Sequence, residues 1–123
     1  MNLIDVVRLG EIAEIEFADI VTSARSPGTN QVRILLIDGS FIDVWHSLKL
    51  VGRYSYHGER LALDNTIYRH NNAPHASWRK IATFPKHFHN GSELNVVESP
   101  IRSIPEEALR EFLAFARKMV GAQ

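Results

Sequence analysis

Apolar residues recur along this chain in several different rhythms. In "NLIDVVRLG", Leu3, Val6 and Val7 share one helical face before Gly10, which predicts a short N-terminal helix. The following "EIAEIEFADIVTSA" alternates in part and reads as a strand with Ile15, Phe17 and Val21 inward. After the turn cluster "RSPGTN", "VRILLIDGSFIDVW" sets two apolar runs on either side of Asp38-Gly39, a strong hairpin signal. A two-residue turn there would pair Leu36 with Phe41, Ile34 with Asp43 and Val32 with Trp45, leaving Leu35, Ile37, Ile42 and Val44 on the other face. Both faces are apolar near the turn, so the hairpin is expected to be central and covered on both sides.

Further along, "GRYSYHGERLALDNTIYRHNN" predicts two strands that reverse near "LDNT". Residues 72–91 contain Pro74 and Pro85 and no sustained period, so they read as loop with a short strand over 81–84. "ELNVVE" predicts a last strand. Ser103, with Pro105 and Glu106 behind it, reads as a capping box. Ala108, Leu109, Phe112, Leu113, Ala116, Met119 and Val120 then repeat at helical spacing. The expected fold is α+β. An antiparallel sheet of five or six strands carries a short N-terminal helix and a long C-terminal one, in a single domain over residues 1–123.

Composition narrows the class. An apolar content of 45% and a charged content of 23% are ordinary for a globular chain. No apolar run approaches the roughly 18 residues a membrane span needs, and the N-terminus lacks a signal pattern, so a cytoplasmic location is expected. The absence of cysteine removes disulfides, thiol catalysis and cysteine-ligated zinc. A net charge of zero conceals a basic middle: residues 45–91 hold seven Lys or Arg against Glu59 and Asp64. All six histidines lie in that block, which suits either a solvated face or a surface for phosphate and other anions.

The chemistry concentrates in "YRHNNAPHASWRKIATFPKHFHNG". It holds His70, His75, His87 and His89 with Arg69, Arg79, Lys80 and Lys86. His87 and His89 are two apart and share a face on extended backbone, while "NNAP" can turn His70 back toward His75. Such a set can bind zinc, perform acid–base cleavage of RNA through its 2′-hydroxyl, or merely brace a loop. Between Asp64 and Glu93 there is no carboxylate to orient metal-bound imidazoles, so neither a metal nor another cofactor is expected. The catalytic candidates are His75, His87, His89 and His70. Arg69, Lys86 and Arg53 are candidates for phosphate, and Tyr54 and Tyr56 for the nucleotide. Trp78 and Phe84 read as core or loop anchors.

The runs "DGSFIDVWHSLKLVGRYSYH", "TIYRHNNAPH", "TFPKHFHNGSELNVVES" and "PEEALREFLAF" resemble the TumE-like family of toxins encoded in toxin–antitoxin pairs. The likeness spans roughly residues 30–118 and includes Tyr54, Tyr56, His57, Arg69, His70, Asn72, Pro74, His75, Pro85, His87, His89 and Gly91. The departure is Asn71, where an acid is expected. The resemblance implies an N-terminal helix, an antiparallel sheet and a C-terminal helix, together with growth inhibition relieved by a DNA-binding antitoxin. By analogy with small toxins of this shape it also implies a metal-independent ribonuclease acting on RNA. The alternative is a non-catalytic module that binds RNA or protein through the same face. The two-sided hairpin also admits a homodimer.

Overall fold

The computed structural model describes residues 4–121. In chain order these form α1 (Val6–Glu16), β1 (Val21–Arg25), β2 (Gln31–Leu36), β3 (Phe41–His46), β4 (Tyr54–Arg60), α2 (Leu61–Asp64), β5 (Thr66–Asn71), β6 (His87–Gly91), β7 (Val96–Glu98) and α3 (Pro105–Gly121). The strands make one sheet of seven in sequence order, each antiparallel to the next. The α+β class therefore holds, with one strand more than the upper expectation.

α1 is longer than its first apolar residues suggest. Asp5 caps it by accepting from the Arg8 amide at 3.0 Å. Val6, Leu9, Ile12 and Ala13 then continue the three–four spacing into the segment expected to be a strand. Ile15, expected inward, is 73% exposed on the far side of that helix, whereas Phe17 and Val21 are buried as expected. The strand shrinks to Val21–Arg25. Leu3 lies outside the described residues. Gly10 lets α1 approach the sheet closely: a Cβ there would come within 3.2 Å of Val32 Cγ2 and 3.3 Å of Ala24 Cβ.

The hairpin forms, but in a different register. Leu36 and Ser40 close a three-residue turn, with the Leu36 amide donating to the Ser40 carbonyl at 2.9 Å. Gly39 adopts a φ of 90°, as the bulged turn requires. Val32 therefore pairs with Val44 and Ile34 with Ile42. That one-residue slip sends Val32, Ile34, Leu36, Ile42 and Val44 all to one buried face. The opposite face is not covered by another element among the described residues. There Arg33 pairs with Asp43 at 2.8 Å and lies 4.1 Å over the Phe41 ring.

α1 and α3 share the buried face. Ala108, Leu109, Phe112, Leu113 and Ala116 of α3 are all buried, as their spacing predicts. The helix opens at Pro105, and the Ser103 hydroxyl meets Tyr54 Oη at 3.0 Å rather than forming the expected capping box. The segment 81–84 is turn, not strand, and β6 begins at His87 beyond Pro85.

Two histidines belong to this core. His46 is 6% exposed and His70 is 0% exposed. Burial lowers each from an ordinary 6.5 to about 4. The unfolded chain then binds protons that the folded chain refuses. Stability is complete above about pH 6.5 and falls as pH drops toward 4, by about 1.4 kcal/mol per pH unit for each histidine. Thermal melts from pH 7 to 4 should show the melting temperature declining well before ordinary carboxylates protonate. A flat profile down to pH 4 would contradict the neutral, buried assignment.

Candidate functional site

Strand alternation divides the histidines between the two faces of the sheet. Along β4 and β5, Tyr54, Tyr56 and His70 point beneath the helices. His57 and Arg69 occupy the open face, where Arg69 pairs across the sheet with His57 on one side and His89 on the other. His87 and His89 of β6 share that face with a ring separation of 5.1 Å.

The loop after β5 folds over the two imidazoles. Its short 3-10 turn, Ala76–Trp78, brings the Trp78 ring to 6.2 Å from His87 and 6.1 Å from His89. The exposed His75 ring lies 6.1 Å from the same indole. A cleft of about 360 Å³ results, lined by Arg69, Asn71, His75, Trp78, His87, His89, Glu93 and Leu94 among others. Three of the four candidate catalytic histidines and one candidate cation therefore meet in one place.

Hydrogen bonds set the tautomers. His87 Nδ1 lies 2.8 Å from the Pro85 carbonyl and His89 Nδ1 lies 2.9 Å from the Glu93 carbonyl. A carbonyl only accepts, so in both rings Nδ1 carries the hydrogen and Nε2 keeps its lone pair. The two residues are only 2% and 5% exposed, and what exposure they have reaches Nε2, which no protein group takes in either ring. His75 is the reverse: its Nδ1 accepts from the Ser77 amide at 3.2 Å, so the neutral ring carries its hydrogen on Nε2. Burial, the largest influence on His89, lowers its pKa; Arg69 and His87 act in the same direction, partly offset by Glu93.

Arg69 is already engaged. Its Nη1 and Nη2 grip Glu93 at 3.0 and 2.6 Å, and its Nε donates to His57 Nδ1 at 3.1 Å. His57 in turn donates from Nε2 to Glu59 at 3.1 Å. The hydrogen bond from Arg69, ahead of all other causes, holds the Glu93 carboxyl below its usual range. Sequence reasoning left His57, Glu59 and Glu93 out of the site. The first two could have been found from the alternation of "YSYHGE" against "TIYRHN". Glu93 arrives by way of the β6–β7 turn, which no periodicity reports.

The remaining candidates lie elsewhere. His70 places Nδ1 at 2.7 Å from the Ser99 hydroxyl, while its Nε2 is buried without a partner. It is core, out of reach of the cleft. Tyr54 and Tyr56 are 4% and 0% exposed, so neither offers a ring to a nucleotide on the open face. Arg53 lines a different cleft beneath that core cluster. Lys86 immediately precedes β6 and is among the charges that disfavour protonated His70. Among the described residues, no group of three or more His, Asp or Glu could hold a metal ion.

A family model described as Toxin TumE matches residues 4–120, nearly the whole chain. The chain belongs to the TumE toxin family. No curated protein and no solved structure matches it. TumE membership implies an antitoxin partner. No helix among the described residues of this TumE protein is long and apolar enough to cross a membrane.

Proposed function

We propose that this TumE-family toxin cleaves RNA without a metal, by transferring the phosphodiester to the neighbouring 2′-hydroxyl. The observation that carries the reading is the pair His87 and His89. Their rings lie 5.1 Å apart, and each Nδ1 is tied to a carbonyl so that Nε2 is left for a substrate. The neutral imidazole favoured at His89 takes the 2′-hydroxyl proton, and protonated His87 returns one to the leaving 5′-oxygen. Trp78 offers a face for a base, and His75 donates through Nε2 to a phosphate oxygen. Glu93 is 59% exposed, so a phosphodiester can replace its carboxylate on the forked edge of Arg69. A DNA-binding antitoxin would neutralise the activity in the cytoplasm.

Purified protein should degrade RNA at an unchanged rate in excess EDTA, and its induction alone should arrest growth. A rate that collapses in EDTA and returns with one specific metal would replace this mechanism with metal-assisted hydrolysis. One observation favours a non-catalytic binding module: Arg69 is closed by Glu93 while Leu94 stands 87% exposed at the same rim. RNA that is retained but never cut would select that reading.

A further inference from the structure

Beneath the sheet, on the side away from the histidine cleft, lies a second cavity of about 170 Å³. It opens between the β3–β4 loop and the start of α3. Leu48, Val51 and the Tyr54 side chain contribute apolar lining, and Arg53, His46 and Ser47 contribute polar groups. No carboxylate lines it. Arg53 makes no side-chain ion pair or hydrogen bond among the described residues, so its guanidinium donors are unclaimed.

His46 supplies the complementary acceptor. Its Nε2 lies 2.9 Å from Tyr56 Oη, and the Tyr56 hydroxyl donates to the Pro105 carbonyl at 3.3 Å. Both contacts are satisfied when Tyr56 gives its hydrogen to Pro105 and His46 donates from Nε2. His46 Nδ1 is then a lone-pair acceptor with no protein partner, on a residue 6% exposed whose remaining exposure leaves that nitrogen in reach of solvent. An unpartnered acceptor on a residue that lines a cavity is available to a ligand donor.

We infer that this cavity binds a nucleobase, whose adjacent donor and acceptor would meet His46 Nδ1 and Arg53 while its faces rest on the apolar wall. The cavity's size, apolar lining and the polar groups of His46 and Arg53 fit a small planar heterocycle. The choice of a nucleobase over another ring with the same edge rests on the RNA reading above. Asn72 accepts from the Tyr54 amide at 2.9 Å and donates to the Gly52 carbonyl at 2.7 Å, so it braces two residues that line the inner cavity, while its neighbours Asn71 and Ala73 line the histidine cleft. A base seated here would select the nucleotide near the one cut on the open face.

The test is binding, read apart from cleavage. Each of the four ribonucleoside 5′-monophosphates is titrated into the full chain, followed by 15N-resolved NMR of the His46 ring and the Leu48–Arg53 amides. At least one should saturate with a Kd of about 1 mM or tighter and shift His46 Nδ1. His46→Gln keeps an amide at the Tyr56 end and removes the acceptor from the Nδ1 position, and Arg53→Met keeps the stem and deletes the guanidinium. Each should weaken that binding about tenfold while the amide spectrum elsewhere is preserved. If His46→Gln does not fold, Arg53→Met decides alone. Nucleotides that shift only His87 and His89, or none at all, overturn the inference and leave the cleavage mechanism standing. Saturation at His46 in a chain that cuts no RNA supports the inference while the cleavage mechanism fails.

Discussion

Replacing His87 with asparagine should lower RNA cleavage by about 10²–10⁴-fold, the usual worth of a positioned acid or base, and abolish growth arrest with it. Asparagine is the informative choice because its amide nitrogen lies close to where Nδ1 was. The donation to the Pro85 carbonyl at 2.8 Å can be kept while Nε2 is deleted. His89→Asn should behave alike through the Glu93 carbonyl. The double variant should cost little more than either single one, because paired acid and base act as a unit. Stability should drop by only ~1 kcal/mol, about 4 °C in melting temperature at this chain length. In the native chain, rate should fall as pH drops through the pKa of His89, below the ordinary histidine value of 6.5 because burial favours the neutral ring. A stable His87→Asn protein that cuts RNA at the native rate would remove this residue from the mechanism.

The largest effect on stability is expected far from the cleft, at Asp38. Its carboxylate meets Arg60 Nη1 at 2.6 Å, with both side chains only 7% exposed. It also accepts from the Ser40 amide at 3.0 Å and from the Ser40 hydroxyl, which ties the hairpin turn to the end of β4. Burial pushes the Asp38 carboxyl upward, but the Ser40 hydrogen bonds and Arg60 outweigh it and leave the pKa below 3.8. Its stabilisation is therefore complete above pH 3.8 and is lost as pH falls through the lowered value. Asp38→Asn leaves the buried Arg60 only its half-exposed partner Asp64 and should cost about 3 kcal/mol, a large share of a typical 5–15 kcal/mol. Asp64, which also pairs with Arg60 but is 45% exposed, is the control: Asp64→Asn should cost far less. Urea unfolding at pH 7 measures both. A loss below about 1 kcal/mol at Asp38 would show that the pair contributes little.

Much of this architecture is legible in the residues themselves. α3 and the β4–β5 pair follow from apolar spacing and turn chemistry, as does the shared face of His87 and His89. The hairpin was visible, but its register was not. Asp38-Gly39 suits both a two-residue and a three-residue turn, and only the burial of Val32, Ile34, Ile42 and Val44 together distinguishes them. The end of α1 imitates a strand because Ile15 and Phe17 lie two apart; Phe17 is buried just past the helix end, and Ile15 is not buried at all. The same ambiguity put His70 in the site. One position along β5 from Arg69, it belongs to the opposite face, and only the strand pairing reveals which of the two neighbours meets His89. Glu93 was invisible because a turn, not a periodic element, returns it to Arg69.

The chemistry of the cut ends tests the central claim most directly. A synthetic RNA is digested in EDTA by the purified chain, and the fragments are resolved by mass spectrometry. Transfer to the 2′-hydroxyl predicts a 2′,3′-cyclic phosphate on one side of the cut and a 5′-hydroxyl on the other. It also predicts that a single 2′-deoxy nucleotide at the cut position blocks cleavage there. Fragments ending in 3′-hydroxyl and 5′-phosphate, or undiminished cutting at the 2′-deoxy position, would contradict the mechanism assigned to His87 and His89.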